Sequence, residues 1–222
     1  MPKPFLSLIL PVRDNADTVL DSLMGIDYAL SLSAFSSEVL VVDDGSRDAT
    51  VIIAQRFGKI AKDVRVIEGK HPRGLGWAVQ EGMASAKGNI RLILTEPCLP
   101  SLVLREHLLA SFQKGSDMVG IAPSVSGIVR KYAYRVLSGK KKLPFDPQFG
   151  ILGMTEDAAV SLFRTTELSL KSGIFLELLL RASAFSLRIS ALSCDTCARL
   201  PLVPFLWDAL RIRIRGVGTS KE

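Results

Sequence analysis

A chain of 222 residues, 48% hydrophobic and 23% charged, can bury one full core and does not have the composition of a disordered polymer. Its net charge of +6 and pI near 9.4 favour an anionic partner, whether nucleotide, phospholipid surface or nucleic acid. No apolar run reaches the roughly 18 to 20 residues that a membrane-spanning helix needs, and three cysteines argue against a disulfide framework.

The first fourteen residues, MPKPFLSLILPVRD, have a short apolar stretch but no small-residue cleavage site, so they read as a strand and not as a leader. Strand-like runs at Phe5–Val12, Glu38–Asp43, Val64–Glu68, Ile90–Thr95 and Met118–Ile121 alternate with helical patterns. The helices are expected near Ala16–Leu32, Arg47–Phe57, Leu75–Lys87 and Leu102–Lys114. Gly58, Gly88 and Gly115 follow these stretches as C-terminal caps would, and Lys87 and Lys114 fall in expected last turns. The alternation predicts an α/β fold with a mostly parallel central sheet flanked by helices.

The second half is less regular. Residues 126–142 are basic and end in Gly139-Lys140-Lys141-Lys142, expected as an exposed loop. Asp146-Pro147-Gln148-Phe149-Gly150 reads as a turn into a short strand. Thr155 then reads as an N-cap, with Glu156 and Asp157 in the first helical turn. A further helix is expected over Gly173–Phe185 and a strand near Leu187–Leu192. Cys194 and Cys197 have C-x-x-C spacing, but only His71, His107 and Cys98 could complete a zinc site, so free thiols in a reducing compartment are expected. No repeat or low-complexity linker divides the chain. One domain is expected over residues 1–200, followed by a basic amphipathic tail over 201–222. Within that tail PFLWDALRIRIRG, residues 204–216, combines apolar residues with Trp207, Arg211, Arg213 and Arg215, and suits either peripheral membrane contact or packing on the domain.

The most informative stretch is SSEVLVVDDGS. A buried apolar run stops at Asp43, Asp44, Gly45 and Ser46, at the strand end where open α/β sheets bind ligands. Neither a P-loop nor a dinucleotide fingerprint is present: no G-x-x-x-x-G-K-[ST] occurs, and the turn after the first strand, Pro11-Val12-Arg13-Asp14-Asn15, lacks glycine. Gly74-Leu75-Gly76 opens a helix after the third strand instead, and the loop before it, Lys70-His71-Pro72-Arg73, is suited to phosphate.

Taken together, Pro11–Asn15, Val41–Thr50 (VVDDGSRDAT), Arg73–Ala78 with Gly82, Asp146–Gly150 and Phe175-Leu176-Glu177-Leu178 resemble, in order, the motifs of family-2 glycosyltransferases with the GT-A (Rossmann-like) fold. The resemblance is closest to the dolichyl-phosphate mannose and glucose synthase group and spans about residues 5 to 195. It implies an inverting transfer of a hexose from a UDP- or GDP-sugar to a polyprenyl phosphate or related cell-envelope acceptor. A cytoplasmic protein is expected, with at most peripheral contact with the inner membrane face through its tail. It also implies that Pro11, Val12, Arg13, Asp43, Asp44, Gly45, Gly74, Gly76, Asp146 and Gln148 bind substrate, and that Asp43 or Asp44 hydrogen-bonds base or ribose. Arg73, Glu96 and Glu177 are the implied catalytic residues, Glu177 as a fallback base.

The family's D-x-D, which holds Mg²⁺ or Mn²⁺, is here Glu96-Pro97-Cys98, leaving Glu96 as the one carboxylate ligand. Asn15 replaces a glutamate, and Phe149 a serine. Without a metal, Arg73, Arg130, Arg135 and Lys131 or Lys140–Lys142 are the cations available to a departing diphosphate. An inert nucleotide-sugar-binding or scaffold paralogue is the alternative that this departure raises. No recognisable nucleic-acid-binding module is present, and none is expected.

Overall fold

The computed structural model describes residues 3–61, 63–95, 102–122, 151–164 and 173–193. In chain order these form β1 (Leu6–Val12), α1 (Val19–Ser31), β2 (Ser37–Asp43), α2 (Thr50–Ile60), β3 (Val64–Glu68), α3 (Leu75–Ser85), β4 (Ile90–Leu94), α4 (Leu102–Gln113) and β5 (Met118–Ala122). They continue with β6 (Ile151–Thr155), α5 (Glu156–Phe163), α6 (Ile174–Ala184) and β7 (Ile189–Ser193). The strands make one seven-stranded sheet in the order β3-β2-β1-β4-β6-β5-β7. All neighbours are parallel except β6, which runs antiparallel to both β4 and β5.

The central strands are apolar without alternation because helices cover both faces. On one face Ile9, Leu40, Val42 and Ile93 pack with Ala78, Val79 and Met83 of α3, Ala159 and Leu162 of α5, and Phe175 and Leu178 of α6. On the other, Leu8, Leu10, Val39 and Val41 pack with Val19, Leu23 and Ile26 of α1, Ala54 of α2 and Leu108 of α4. Each large side chain taken fully out of water in this way contributes roughly 1.5–3 kcal/mol.

Opposite the carboxyl ends of the parallel strands, a buried polar knot ties β1 and β2 to the end of α3. Ser7 Oγ donates to Glu38 Oε1 (2.6 Å) and accepts from the Gly88 N–H (2.7 Å). Glu38 also accepts from the Lys87 N–H (2.7 Å) and pairs with Arg65 (3.0 Å). Burial pushes the Glu38 carboxyl up, but these donors outweigh it and hold the group below its ordinary range.

Four cap expectations fare differently. Gly115 closes α4 as a Schellman turn, its N–H donating to the Phe112 carbonyl and that of Ser116 to the Ser111 carbonyl. Gly58 lies inside α2, and Gly88 with Lys87 lies beyond the end of α3 at Ser85. There the backbone N–H groups of both serve the polar knot instead of a helix cap. Thr155 caps α5 as expected, its hydroxyl accepting from the Ala158 N–H (3.3 Å). Residues 123–150 and the tail 201–222 lie outside the described residues.

Strand order reverses at β1. The chain passes from β1 to β2 and β3 on one side, then crosses to β4 on the other. The crevice beyond the carboxyl ends of these strands is where a doubly wound sheet holds a ligand.

Gly82 sets how closely α3 approaches this point, since a Cβ there would lie 2.3 Å from Ile9 Cγ2 and 3.2 Å from Val42 Cγ2. Gly82→Ala is expected to lose about 1–3 kcal/mol of stability through overpacking, read as a lower urea midpoint at unchanged m-value.

Candidate functional site

The turns that follow β1, β2 and β3 meet above the carboxyl ends of the strands, and side chains of the second turn join them. The Asp44 N–H donates to the Val12 carbonyl (2.9 Å), extending the pairing of β1 with β2 into the loops. Asp14 has left-handed backbone (φ 49°), a conformation that aspartate tolerates better than most residues. It is held there from across the crevice, its N–H donating to Ser46 Oγ (2.9 Å) and its carboxylate accepting from the Arg47 N–H (2.8 Å). The Asn15 N–H donates to Thr50 Oγ1 (2.8 Å) and the Ala16 N–H to Asp48 (2.9 Å). Asn15, which stands where the family motif has glutamate, turns its side-chain oxygen back to accept from the Arg13 N–H (2.9 Å).

The two aspartates have different partners. Asp43 is buried and closes its own turn, accepting from the Gly45 and Ser46 N–H groups (both 3.0 Å) and from Ser46 Oγ. Asp44 reaches outward to the third loop. Its carboxylate accepts from the Arg73 N–H (2.7 Å) and the Gly74 N–H (2.9 Å) and lies 3.8 Å from the Arg13 guanidinium. A carboxylate at the start of α3 also meets the positive end of the helix dipole. Two N–H groups that the sequence left available to phosphate are therefore bonded to Asp44.

Gly45 joins these turns by close approach. It has φ +71°, and a Cβ on it would lie 2.7 Å from the His71 carbonyl carbon and 2.8 Å from the Pro72 nitrogen. Backbone cannot yield there, so only glycine allows the second and third turns to touch.

Arg73 stands at the mouth of α3. Its backbone is held by Asp44, and its guanidinium lies over the Trp77 ring, 5.0 Å from the centroid. No carboxylate pairs with that guanidinium among the described residues. Trp77 is buried against Gly69, where a Cβ would come within 2.8 Å of the indole, and its Nε1 has no hydrogen-bond partner among the described residues. The indole thus gives a cation a fixed seat beside the crevice while leaving its N–H donors available.

A cleft beside β1 is lined by Leu10, Pro11, Val12, Asn15, Thr18, Val19, Ser22 and Thr95. It places the expected Pro11 and Val12 next to the end of β4, at the point where strand order reverses. Pro11 and Val12 are buried, and Arg13 is exposed above them. Gly76 is buried in the first turn of α3. Glu177 is buried on α6, where Arg181 bonds its carboxylate through Nε (3.0 Å) and a terminal nitrogen (2.7 Å). Glu96, Asp146 and Gln148 lie outside the described residues, as do Arg130, Lys131, Arg135 and Lys140–Lys142.

For a divalent cation, the donor set is a poor fit. Among the described residues no group of three or more His, Cys, Asp or Glu side chains is arranged to hold a metal. Asp43 and Asp44 spend their oxygens on N–H and O–H donors. Past β4 the sequence supplies one carboxylate and one thiol where a hard cation wants oxygen ligands. The residues do not match a two-carboxylate Mg²⁺ or Mn²⁺ site.

Asp48, Thr50, Ser46 and Trp77 were not singled out by the sequence reading as site residues. The signal for the first pair was present in Asp48-Ala49-Thr50 ahead of a helix, an Asx-type turn with a side chain free to bond a neighbouring loop.

Comparison with known proteins follows from this geometry. The family model for glycosyl transferase family 2 matches residues 7–160. The chain belongs to that family. Dolichol-phosphate mannosyltransferase of Mycosarcoma maydis is 30% identical over 172 residues, covering 69% of this chain and 57% of that protein. Dolichyl-phosphate beta-glucosyltransferase of Drosophila melanogaster is 52% identical over 56 residues, 24% of this chain and 17% of that protein. The matches thus span little more than half of these curated relatives at most. Glucosyl-3-phosphoglycerate synthase of M. tuberculosis superposes with a TM-score of 0.71 at 21% identity, covering 95% of this chain and 78% of that one. The same enzyme has been crystallised with Mn²⁺ and UDP-glucose. The likeness establishes the GT-A fold for this family 2 member, in agreement with the α/β expectation.

Two tests follow from the loop contacts. Asp44→Ala leaves two N–H donors and Arg13 without their acceptor, and is expected to cost about 2–4 kcal/mol in chemical unfolding. The second concerns Asp48, whose carboxyl is held below its ordinary 3.8 by the Thr50 hydroxyl, then by the Thr50 and Ala16 N–H groups. A depressed carboxyl stabilises the fold fully above its unfolded pKa and loses that contribution as pH falls through the folded value. Asp48→Asn should therefore lower Tm at pH 7, and the gap from the parent should narrow as pH falls below about 3.8.

Proposed function

We propose that this family 2 member binds a UDP- or GDP-hexose across the first two turns and transfers the hexose, with inversion, to a polyprenyl phosphate or related cell-envelope acceptor. One observation carries the reading: the Asp44 carboxylate bonds the second turn to Arg73 and Gly74, so the base-facing turns and the basic mouth of α3 form one preorganised unit. A carboxylate has about four acceptor positions. Asp43 and Asp44 each use about three, leaving one for a ring N–H of the base or a ribose hydroxyl.

In the reaction, an oxygen of the acceptor phosphate forms a bond to the anomeric carbon from the face opposite the nucleotide. The bond from that carbon to the diphosphate oxygen breaks, and the nucleoside diphosphate leaves with the electron pair. Arg73 stabilises the charge that develops on this leaving group, from the seat Trp77 gives it. A phosphomonoester with a second pKa near 6 is already ionised, so no base is required. Relatives named for dolichyl-phosphate glucosyl, dolichol-phosphate mannosyl and dodecaprenyl-phosphate galacturonate chemistry support this acceptor class.

The Glu96-Pro97-Cys98 segment favours a second reading, an inert nucleotide-sugar-binding paralogue. Cys98→Asp separates the two. Transfer by the parent protein excludes the second reading, and transfer that begins only in the variant with Mn²⁺ establishes it.

Calorimetric titration with UDP-glucose and GDP-mannose, each with Mn²⁺ and with EDTA, tests the binding step. One donor is expected to bind, with EDTA weakening it less than about tenfold. Arg73→Ala should weaken it by about 10- to 100-fold, as the loss of a charge-assisted bond predicts. Failure of both donors under both conditions would overturn the proposal.

A further inference from the structure

The Asp44 carboxylate has one acceptor position left, and its surroundings restrict what can fill it. Its Oδ1 accepts from the Arg73 N–H (2.7 Å) and the Gly74 N–H (3.1 Å), and its Oδ2 accepts from the Gly74 N–H (2.9 Å). Each carboxylate oxygen offers about two positions, so Oδ1 is filled and Oδ2 keeps one. Asp43 adds no second acceptor to the same edge. It holds the Gly45 and Ser46 donors of its own turn, and consecutive side chains at a strand end turn to opposite sides.

Donors flank the open position on both sides, because the strand order β3-β2-β1 puts the second turn between the other two. From the third turn come the N–H groups of Arg73 and Gly74, at the positive mouth of α3. From the first comes the Arg13 guanidinium, 3.8 Å from Asp44 Oδ2 and 3.6 Å from Asp14. Both separations are too long for a hydrogen bond, and Arg13 makes no side-chain hydrogen bond among the described residues. Its five N–H groups are therefore available. The turn that presents it is fixed: Asn15 accepts from the Arg13 N–H (2.9 Å), and the left-handed Asp14 is held by Ser46 and Arg47. The site thus shows a single acceptor between two groups of donors.

Among the common nucleotide bases, uracil matches this pattern. It has one ring N–H between two carbonyls, the complement of one acceptor between donors. Cytosine and adenine carry a bare ring nitrogen in that place, and a carboxylate repels its lone pair. Guanine has the ring N–H, but with a carbonyl on one side of it and an amino group on the other. In either orientation that amino group meets donors. A carboxylate that took both N–H groups of guanine would need a free position on each oxygen, and Asp44 has one on Oδ2 alone. We infer that the nucleotide is a uridine diphosphate sugar, and that Arg13 sets this choice of base by donating to a uracil carbonyl beside Asp44. The inference rests on the proposed nucleotide-sugar binding and narrows it to one donor class.

Calorimetric titration of the full chain with UDP, CDP, IDP and GDP, each with and without Mn²⁺, tests this in two pairs matched for ring size. UDP against CDP isolates the ring N–H, and IDP against GDP isolates the amino group, which hypoxanthine lacks. IDP is expected to bind about 10- to 100-fold more tightly than GDP, the scale of leaving one buried donor unpaired, and UDP to exceed CDP by at least as much. Arg13→Ala should weaken UDP about tenfold and close the gap between IDP and GDP to within about threefold, because guanine then turns its amino group to the vacated side. Arg13→Lys keeps a donor there and should preserve the gap. A loss in Arg13→Ala that fell equally on all four nucleotides would make Arg13 a merely structural residue and overturn the inference. So would GDP binding at least as tightly as IDP, or CDP at least as tightly as UDP, in the parent protein, and these results leave the nucleotide site and the transferase reading standing. Binding by none of the four would overturn that reading together with the inference. Arg13 is exposed, and far-ultraviolet dichroism of each variant confirms that the fold is present.

Discussion

A single buried carboxylate ties the functional end of this molecule together. Asp44 is 4% exposed and carries a charge that would cost several kcal/mol in that position without compensation. Compensation comes from two backbone N–H groups at the mouth of α3 and from Arg13 on the first turn. The first, second and third loops are thus mutually dependent, because each supplies part of what makes the others tolerable. Gly45 follows from the same constraint, since the backbone of His71 and Pro72 must come within touching distance for Asp44 to reach Arg73. The left-handed Asp14 follows as well, held by Ser46 and Arg47 from the turn that Asp44 anchors.

The first half of the fold was legible because its signals are local. Four strands, three buried and one at the sheet edge, are separated by amphipathic helices and announce themselves by period, and the observed strand ends differ from the expected ones by at most a residue. Two helices are exceptions: α1 starts at Val19 and not at Ala16 because Asn15 and Ala16 give their N–H groups to α2's entry turn, and α2 runs over Thr50–Ile60 where Arg47–Phe57 was expected, because Asp48 and Thr50 form that turn. The reversed β6 was not legible. Direction depends on which neighbour a strand finds, and no residue of Ile151–Thr155 encodes that by itself. Gly58 and Gly88 misled for a related reason. A glycine after an amphipathic run signals a cap only when nothing else requires it, and Gly88 is required by the Ser7 backbone, 2.5 Å from where its Cβ would stand.

The site was legible in its residues but less so in their division of labour. Asp43 and Asp44 read as an equivalent pair in the sequence. In three dimensions one closes its own turn while the other joins two loops, a difference set by the third loop, which arrives from thirty residues away. Trp77 was harder still. A tryptophan in the first turn of a helix reads as core, and it is core, buried and packed against Gly69. What the sequence could not disclose is that its other surface carries Arg73.

Charge accounting at this end of the sheet bears on the proposed acceptor. Asp43, Asp44 and Asp48 are each committed to hydrogen bonds that hold loops in place, and Glu177 is engaged by Arg181. To act as a base toward a sugar hydroxyl, a carboxylate must have an oxygen free to take the proton and a pKa suited to holding it. Carboxylates whose oxygens already serve loop and side-chain donors have little room left for that proton. An acceptor that arrives already ionised asks neither of the protein, only that cations gather the two negative partners and that the leaving diphosphate be stabilised. In the proposed reaction, Arg73, held by Asp44 through its backbone and by Trp77 through its side chain, meets that second demand. The poor match to a two-carboxylate metal site and the argument for the proposed phosphate acceptor thus share one origin, acidic side chains committed to holding loops.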